Sequence, residues 1–320
     1  MTALASLKLT AAALVLLAGG VVWAYLERSH SVPAMVAPMT LLALNLAAAI
    51  LVNPKFRRQV PLLIFHIALL ALVLLAAAGR LTYLNGRVEL SVGEAFSGEL
   101  LDAQAGPLHP NRLARAAFVN EGFEIDYAPK WKRVQTRNLV RWRGARGEET
   151  GVIGDQTPLV LEGYRFYTTS NKGFAPVFVW QPAGGAAQRG SVHLPPYPVL
   201  QFAQEAQWTP PGGAETVTVK LPIDTELIDY HNASGFRLPP THDLELTYGG
   251  QTRRLAPGAS VELAGGRLRY EGLTTWMGYV VFSDWTLPWL LAAAALAAAA
   301  LGWHFWRRFA ARPWNEARAC

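Results

Sequence analysis

The sequence predicts a membrane protein of four transmembrane α-helices, three N-terminal and one C-terminal, with a β-rich extracytoplasmic domain inserted between helices three and four. Three observations predict it. Apolar runs cover residues 7–26, 33–52, 60–78 and 287–305 of the 320-residue chain, each close to the ~20 residues that cross a bilayer. The stretch between the third and fourth runs contains no comparable segment and is rich in Gly, Pro and short alternating patterns. Basic residues gather at two places beside the apolar runs, Lys55, Arg57 and Arg58 in one loop and Arg307, Arg308, Arg312 and Arg318 after the last run. The expected division is residues 1–79 for three helices, 80–285 for the β-rich domain, 286–306 for the fourth helix and 307–320 for a basic tail.

Two readings are open for the first run. Lys8 suits the n-region of a signal peptide, but the run is long and Trp23, Tyr25 and Glu27 stand where a small-x-small cleavage site belongs, which favours a retained helix. The second run carries Pro33 and Pro38 in its first turns, where proline is tolerated, and Asn53-Pro54 ends it. Pro61 opens the third run and Gly79 stands just past its expected end. Trp285, Trp289, Trp303 and Trp306 flank the fourth like interfacial belts. The positive-inside rule places both basic groups, and with them both termini, in the cytoplasm, so that residues 80–284 lie outside, in a bacterium on the periplasmic face of the inner membrane.

In the β-rich region, Gly122–Tyr127, Leu139–Trp142, Tyr164–Thr168, Val177–Trp180, Thr216–Leu221, Leu244–Tyr248 and Leu268–Glu271 read as strands. Pro210-Pro211-Gly212-Gly213, Gly249-Gly250 and Gly265-Gly266 read as turns. A two-sheet sandwich or an open barrel follows, with a short helix expected in residues 100–116.

Composition excludes several functions. The chain is 51% hydrophobic, and most of its net charge of +6 sits beside apolar segments rather than in a basic run interleaved with aromatics, so nucleic-acid binding is not expected. The single cysteine, Cys320, excludes an internal disulfide, a CxxC redox pair and a zinc ribbon. Motifs for nucleotide binding, serine hydrolysis and metalloproteases are missing, and Asp224, Glu226 and Asp229 read as a solvated face.

The chemically interesting residue is His66, about 9 Å into the third run from Val60 at 1.5 Å per residue. An imidazole at that depth faces a partner, a cavity or a cofactor. Neutral imidazole is a common axial ligand of haem iron. A hydrogen bond to a neighbouring helix, for example to Asn45, accounts for it equally well. His304, at the basic end of the fourth run, and His30, in the first short loop, are weaker candidates. His109, His193, His231 and His242 show no metal-ligand spacing.

Several stretches together resemble the ResB family, also called CcsB. They are Ser6–Leu9; Pro61–Leu70, with Phe65-His66 followed by Ala68-Leu69-Leu70; Asn85–Leu90 followed by Gly93-Glu94; Phe123–Tyr127; and Tyr270-Glu271-Gly272 through Trp276–Tyr279, then Asp284. The chain is shorter than the family pattern, and the difference falls in the soluble domain.

The resemblance implies a membrane subunit of system II cytochrome c maturation. Such a subunit pairs with a ResC/CcsA-like membrane protein to move haem across the membrane and present it to apocytochrome c for thioether attachment at CxxCH. It implies that His66 is one axial ligand of a transient b-type haem shared with that partner. The partner's tryptophan-rich motif is missing from this chain, so a non-catalytic or co-catalytic subunit of the haem lyase is expected, with another protein keeping the substrate thiols reduced. The alternatives are a non-catalytic scaffold whose β domain docks apocytochrome or an assembly partner, and a transporter subunit, the latter without inverted repeats to support it.

Overall fold

The computed structural model of the chain describes residues 3–27, 31–213 and 215–310. Four of its helices are long and apolar enough to cross a membrane: α1 Leu7–Leu26, α2 Ser31–Val52, α4 Val60–Thr82 and α5 Leu287–Ala310. A five-residue helix, α3 Pro54–Arg58, lies between α2 and α4. The strands, in chain order, are β1 Leu84–Ser91, β2 Asp102–Ala105, β3 Phe118–Ala128, β4 Lys132–Gly144, β5 Gly147–Gly154, β6 Leu159–Leu161, β7 Tyr164–Pro182, β8 Gln188–Ser191, β9 Glu205–Trp208, β10 Val217–Lys220, β11 Ser234–Gly235, β12 Leu244–Tyr248, β13 Gln251–Leu255, β14 Ser260–Leu263 and β15 Gly266–Ser283. The chain forms two compact units. One holds the helices with Gln104–Pro110, and the other holds Asn85–Ala103 and Asn111–Phe282.

In the helical unit, local chemistry sets the helix starts. The Ser6 hydroxyl caps α1 by accepting from Lys8 N–H at 3.3 Å. Asn53, followed by Pro54, does not simply end α2: its side chain accepts from Lys55 N–H at 3.0 Å and starts α3 within the basic loop. The third membrane helix runs beyond the expected end at Ala78. Gly79 lies inside α4, because the position needs a missing side chain rather than a turn: a Cβ there would stand 2.7 Å from Thr286 Oγ1. Below it, α5 packs on α4 and buries Ala293, Ala297 and Ala300, small residues that let the helices approach closely. The last carbonyls of α4 are satisfied by the segment 104–110. Leu108 N–H donates to Leu81 O at 2.8 Å, and the His109 ring donates through Nδ1 to Thr82 O at 2.8 Å.

The first two helices are joined by a polar knot. Asn45, buried on α2, accepts from Thr10 Oγ1 at 2.7 Å and donates to the carbonyls of Leu4 and Ser6. Asn45→Ala is expected to weaken α1–α2 packing by about 1 kcal/mol, read as a lower thermal midpoint of the full chain in detergent; an unchanged midpoint would show that the knot adds nothing.

The β unit contains three antiparallel sheets among the described residues, not the two of a simple sandwich. The largest runs β2-β1-β15-β7-β6, with β14 on β15 and β8 on β7. Its spine is the long β7–β15 pair, in register from Gly266↔Pro182 to Phe282↔Arg165 with two irregularities. A second sheet runs β11-β3-β4-β5 and a third β13-β12-β10-β9. The third sheet separates because its strands carry an inner face of their own, with Val217, Val219, Leu244 and Leu246 fully buried. Gly249 and Gly250, both at positive φ, close the β12–β13 hairpin in the sense that matches strand twist. The helix expected in residues 100–116 is instead β2 and a single 3₁₀ turn at Leu113–Arg115, too short a stretch between Gly and Pro positions to propagate an α-helix.

Candidate functional site

Of the candidate residues, His66 has the most informative surroundings. It is half-buried on α4, with the Phe56 ring centroid 4.3 Å from its own and the Phe65 ring edge-on at 5.2 Å. It does not bond to Asn45, which is committed to α1. Its Nδ1 lies 2.7 Å from the carbonyl oxygen of Leu62, one turn back on the same helix. A carbonyl only accepts, so Nδ1 carries a proton, and in the neutral ring Nε2 is the nitrogen that holds the lone pair. Nε2 has no hydrogen-bond partner among the described residues. This is the tautomer a metal-binding imidazole needs, with its second nitrogen oriented by a backbone oxygen.

In that tautomer Nε2 is the nitrogen suited to donate to a metal. No group of three or more His, Cys, Asp or Glu that could hold a metal occurs among the described residues. A haem, whose own nitrogens fill four positions of the iron, needs only axial ligands from protein, so one imidazole suffices from this side.

His304 is brought into a cleft of about 640 Å³ at the basic end of the helical unit, lined also by Lys55, Arg58, Gln59, Pro61, Leu62, Arg307 and Arg308. Leu62 thus lines this cleft and also orients His66 through its carbonyl. His30 lies outside the described residues. Another cleft, of about 460 Å³, is lined by Ala24, Tyr25, Ser31, Met35, Arg80 and Gln104. There the Arg80 guanidinium stands 4.4 Å from the Tyr83 ring centroid.

In the β unit the fold assembles a group that sequence spacing did not disclose. Ser91 Oγ lies 3.0 Å from His193 Nε2, His193 Nδ1 lies 3.2 Å from Glu89 Oε2, and Ser191 Oγ lies 2.6 Å from Ser91 Oγ. The His193 ring stacks on Trp276 at 5.1 Å, and the group borders a cleft of about 610 Å³. The order Glu–His–Ser is that of a catalytic triad, but the backbone donors beside Ser91 are spent. Ser91 N–H donates to Glu94, Val92 N–H to Thr275 O and Gly93 N–H to Asn120 O. Those three N–H groups therefore offer no oxyanion donor beside the hydroxyl, and the side-chain bonds tie β1 to the end of β8.

Lys172, on β7, is also buried. Its ammonium donates to Ser170 O at 3.1 Å and lies 5.5 Å from the Tyr127 ring centroid. Burial, reinforced by the Arg133 charge and opposed by Asp155, brings its pKa down to about 8. The unfolded chain keeps that proton to roughly pH 10.4. The unfolded state therefore binds more protons between about pH 8 and 10.4, and this group's penalty on folding, full below pH 8, fades as pH rises through that window. Lys172→Met is expected to be more stable than the parent at pH 7 and to lose that advantage by pH 10.5. Chemical denaturation at the two pH values measures it, and a pH-independent difference would contradict the assignment.

The ResB-like family model matches the chain over residues 56–246, from α3 through His66 to β12. No curated protein matches it.

Proposed function

Since the chain belongs to the ResB-like family, we propose that it is the ResB-like subunit of a system II cytochrome c maturation complex in the bacterial inner membrane. In this reading α1, α2, α4 and α5 span the bilayer, both termini are cytoplasmic, and the β unit stands on the periplasmic face, as the basic residues around Arg58 and Arg308 favour. The observation that carries the reading is His66: an apolar-helix imidazole whose Nδ1 is bonded to Leu62 O and whose Nε2 has no hydrogen-bond partner among the described residues.

The chain's own contribution is positional. Leu62 O fixes the His66 tautomer, Phe56 and Phe65 restrict the ring, and Nε2 is presented as one axial ligand, the other coming from a ResC/CcsA-like partner. Haem, when bound, supplies the iron and the vinyl groups that become thioethers with the cysteines of apocytochrome c. With Cys320 as the single cysteine, this chain has no dithiol with which to keep those cysteines as thiols, a role that falls to a separate thiol-reducing protein.

Deleting the gene in its host tests the proposal. Loss of covalently bound haem with persistence of apocytochrome c, restored by the gene in trans, is expected. Unchanged c-type cytochromes would overturn it.

A further inference from the structure

The basic cleft at one end of the helical unit has a chemistry that axial ligation by His66 does not explain. Lys55 and Arg58 reach it from α3, and Arg307 and Arg308 from the last turn of α5. Among the described residues no carboxylate lines it, and none of these four cations forms an ion pair. Setting the topology of a membrane protein needs positive charge in the loop and the tail but does not need the two to converge. Gathering four like charges around one cavity costs Coulomb energy that dispersal among headgroups would avoid. An anion in the cavity removes that cost.

The rest of the wall supports an anion with an apolar remainder. His304 stands one turn before Arg308 on the same face of α5 and adds a ring nitrogen. Leu62 gives an apolar side, and α4 begins here with no side-chain cap from Gln59, leaving the positive end of its dipole toward the cavity.

We infer that this cleft is an oxyanion site for an anionic amphiphile, which holds either the carboxylates of a porphyrin or the phosphate of a phospholipid headgroup. The porphyrin source rests on the proposed haem role; the phospholipid source does not. Guanidinium groups match both oxyanions in paired hydrogen bonds, and basic pockets between membrane helices take lipid headgroups by the same chemistry.

The test uses the full chain purified in detergent and three probes: metal-free protoporphyrin IX, its dimethyl ester and phosphatidylglycerol. Protoporphyrin without iron offers no metal to ligate, so its binding reads the cleft apart from axial ligation, and failure of the haem-ligand reading stays separate from failure of this one. In the double variant Arg58→Gln/Arg308→Gln, binding of the responsible probe should weaken by on the order of tenfold. The charge-keeping Arg58→Lys/Arg308→Lys should recover part of the binding lost in the glutamine pair, since the ammonium keeps the charge without the paired hydrogen bonds, which shows that the helices still pack. Weakened protoporphyrin binding with unchanged dimethyl ester binding identifies porphyrin carboxylates. Loss of retained phosphatidylglycerol in native mass spectrometry, with protoporphyrin unaffected, identifies the lipid phosphate. Equal binding of every probe by the parent and the glutamine variant, or no binding by the parent, overturns the site.

Discussion

Asn138→Ala is expected to destabilise the β unit by about 3–5 kcal/mol, the largest stability effect of any single substitution argued for this chain. Asn138 is fully buried on β4. Its oxygen accepts from Tyr279 Oη at 2.7 Å, and its amide donates to Asn120 Oδ1 and to Gly122 O, both at 2.8 Å. Asn120, also fully buried, passes the network on to Leu90 O at 2.9 Å. Two amides, Asn138 and Asn120, therefore tie β1, β3, β4 and β15 together where no water reaches. Truncation leaves the Tyr279 hydroxyl and the Gly122 carbonyl without their partner, each costing roughly 1–3 kcal/mol, and adds a cavity.

Burial holds the Tyr279 phenol far above its ordinary pKa, so it stays a donor throughout the usable pH range and cannot escape by ionising. Tyr279→Phe removes one arm of the network and should cost less, about 1–3 kcal/mol. Denaturant unfolding of the full chain, followed by tryptophan fluorescence, measures both. A loss below 1 kcal/mol for Asn138→Ala would show that the network is not a point of cohesion.

His66→Ala is expected to reduce cytochrome c maturation nearly to background while the chain accumulates normally. Removing an outer-shell partner from a metal site costs roughly 10–100-fold, and removing the ligand itself should cost at least as much. Folding should survive, because among the described residues the lost imidazole hydrogen-bonds to its own helix, at Leu62 O, and packs against Phe56 and Phe65. That separation of function from stability makes the variant informative. Haem-staining of c-type cytochromes beside an immunoblot of the chain reads both, and normal maturation would remove His66 from the haem path.

How much of this was legible in the sequence follows the range of each interaction. The apolar runs disclosed four helices because bilayer thickness is a local length requirement, met residue by residue. The end of α4 was not legible: Gly79 looks like a helix stop, and only the approach of Thr286, two hundred residues on, explains it as a packing glycine. Alternation marked β3, β10 and β12, since side-chain direction in a strand has period two. It did not join Tyr164–Thr168 and Val177–Trp180, although both belong to β7, because the continuity of that strand is set by its pairing with β15.

At the candidate site, position alone drew attention to His66 but left open a neighbouring helix, for example Asn45, or a cofactor, and did not foresee the Leu62 carbonyl of its own helix. The Glu89–His193–Ser91 group left no trace in spacing, its members being drawn together by sheet pairing from about a hundred residues apart. The family resemblance was carried by short stretches and their order along the chain, and the ResB-like match over residues 56–246 covers those from Pro61 to Tyr127.

The central claim, that His66 presents Nε2 to haem iron, is tested most directly by co-expressing the chain with its ResC-like partner and recording the visible absorption of the purified complex with and without His66→Ala. A b-type haem spectrum that weakens in the variant and returns on addition of imidazole is the predicted result. A complex that purifies intact yet carries no haem in either form would contradict the claim and leave the chain as a scaffold.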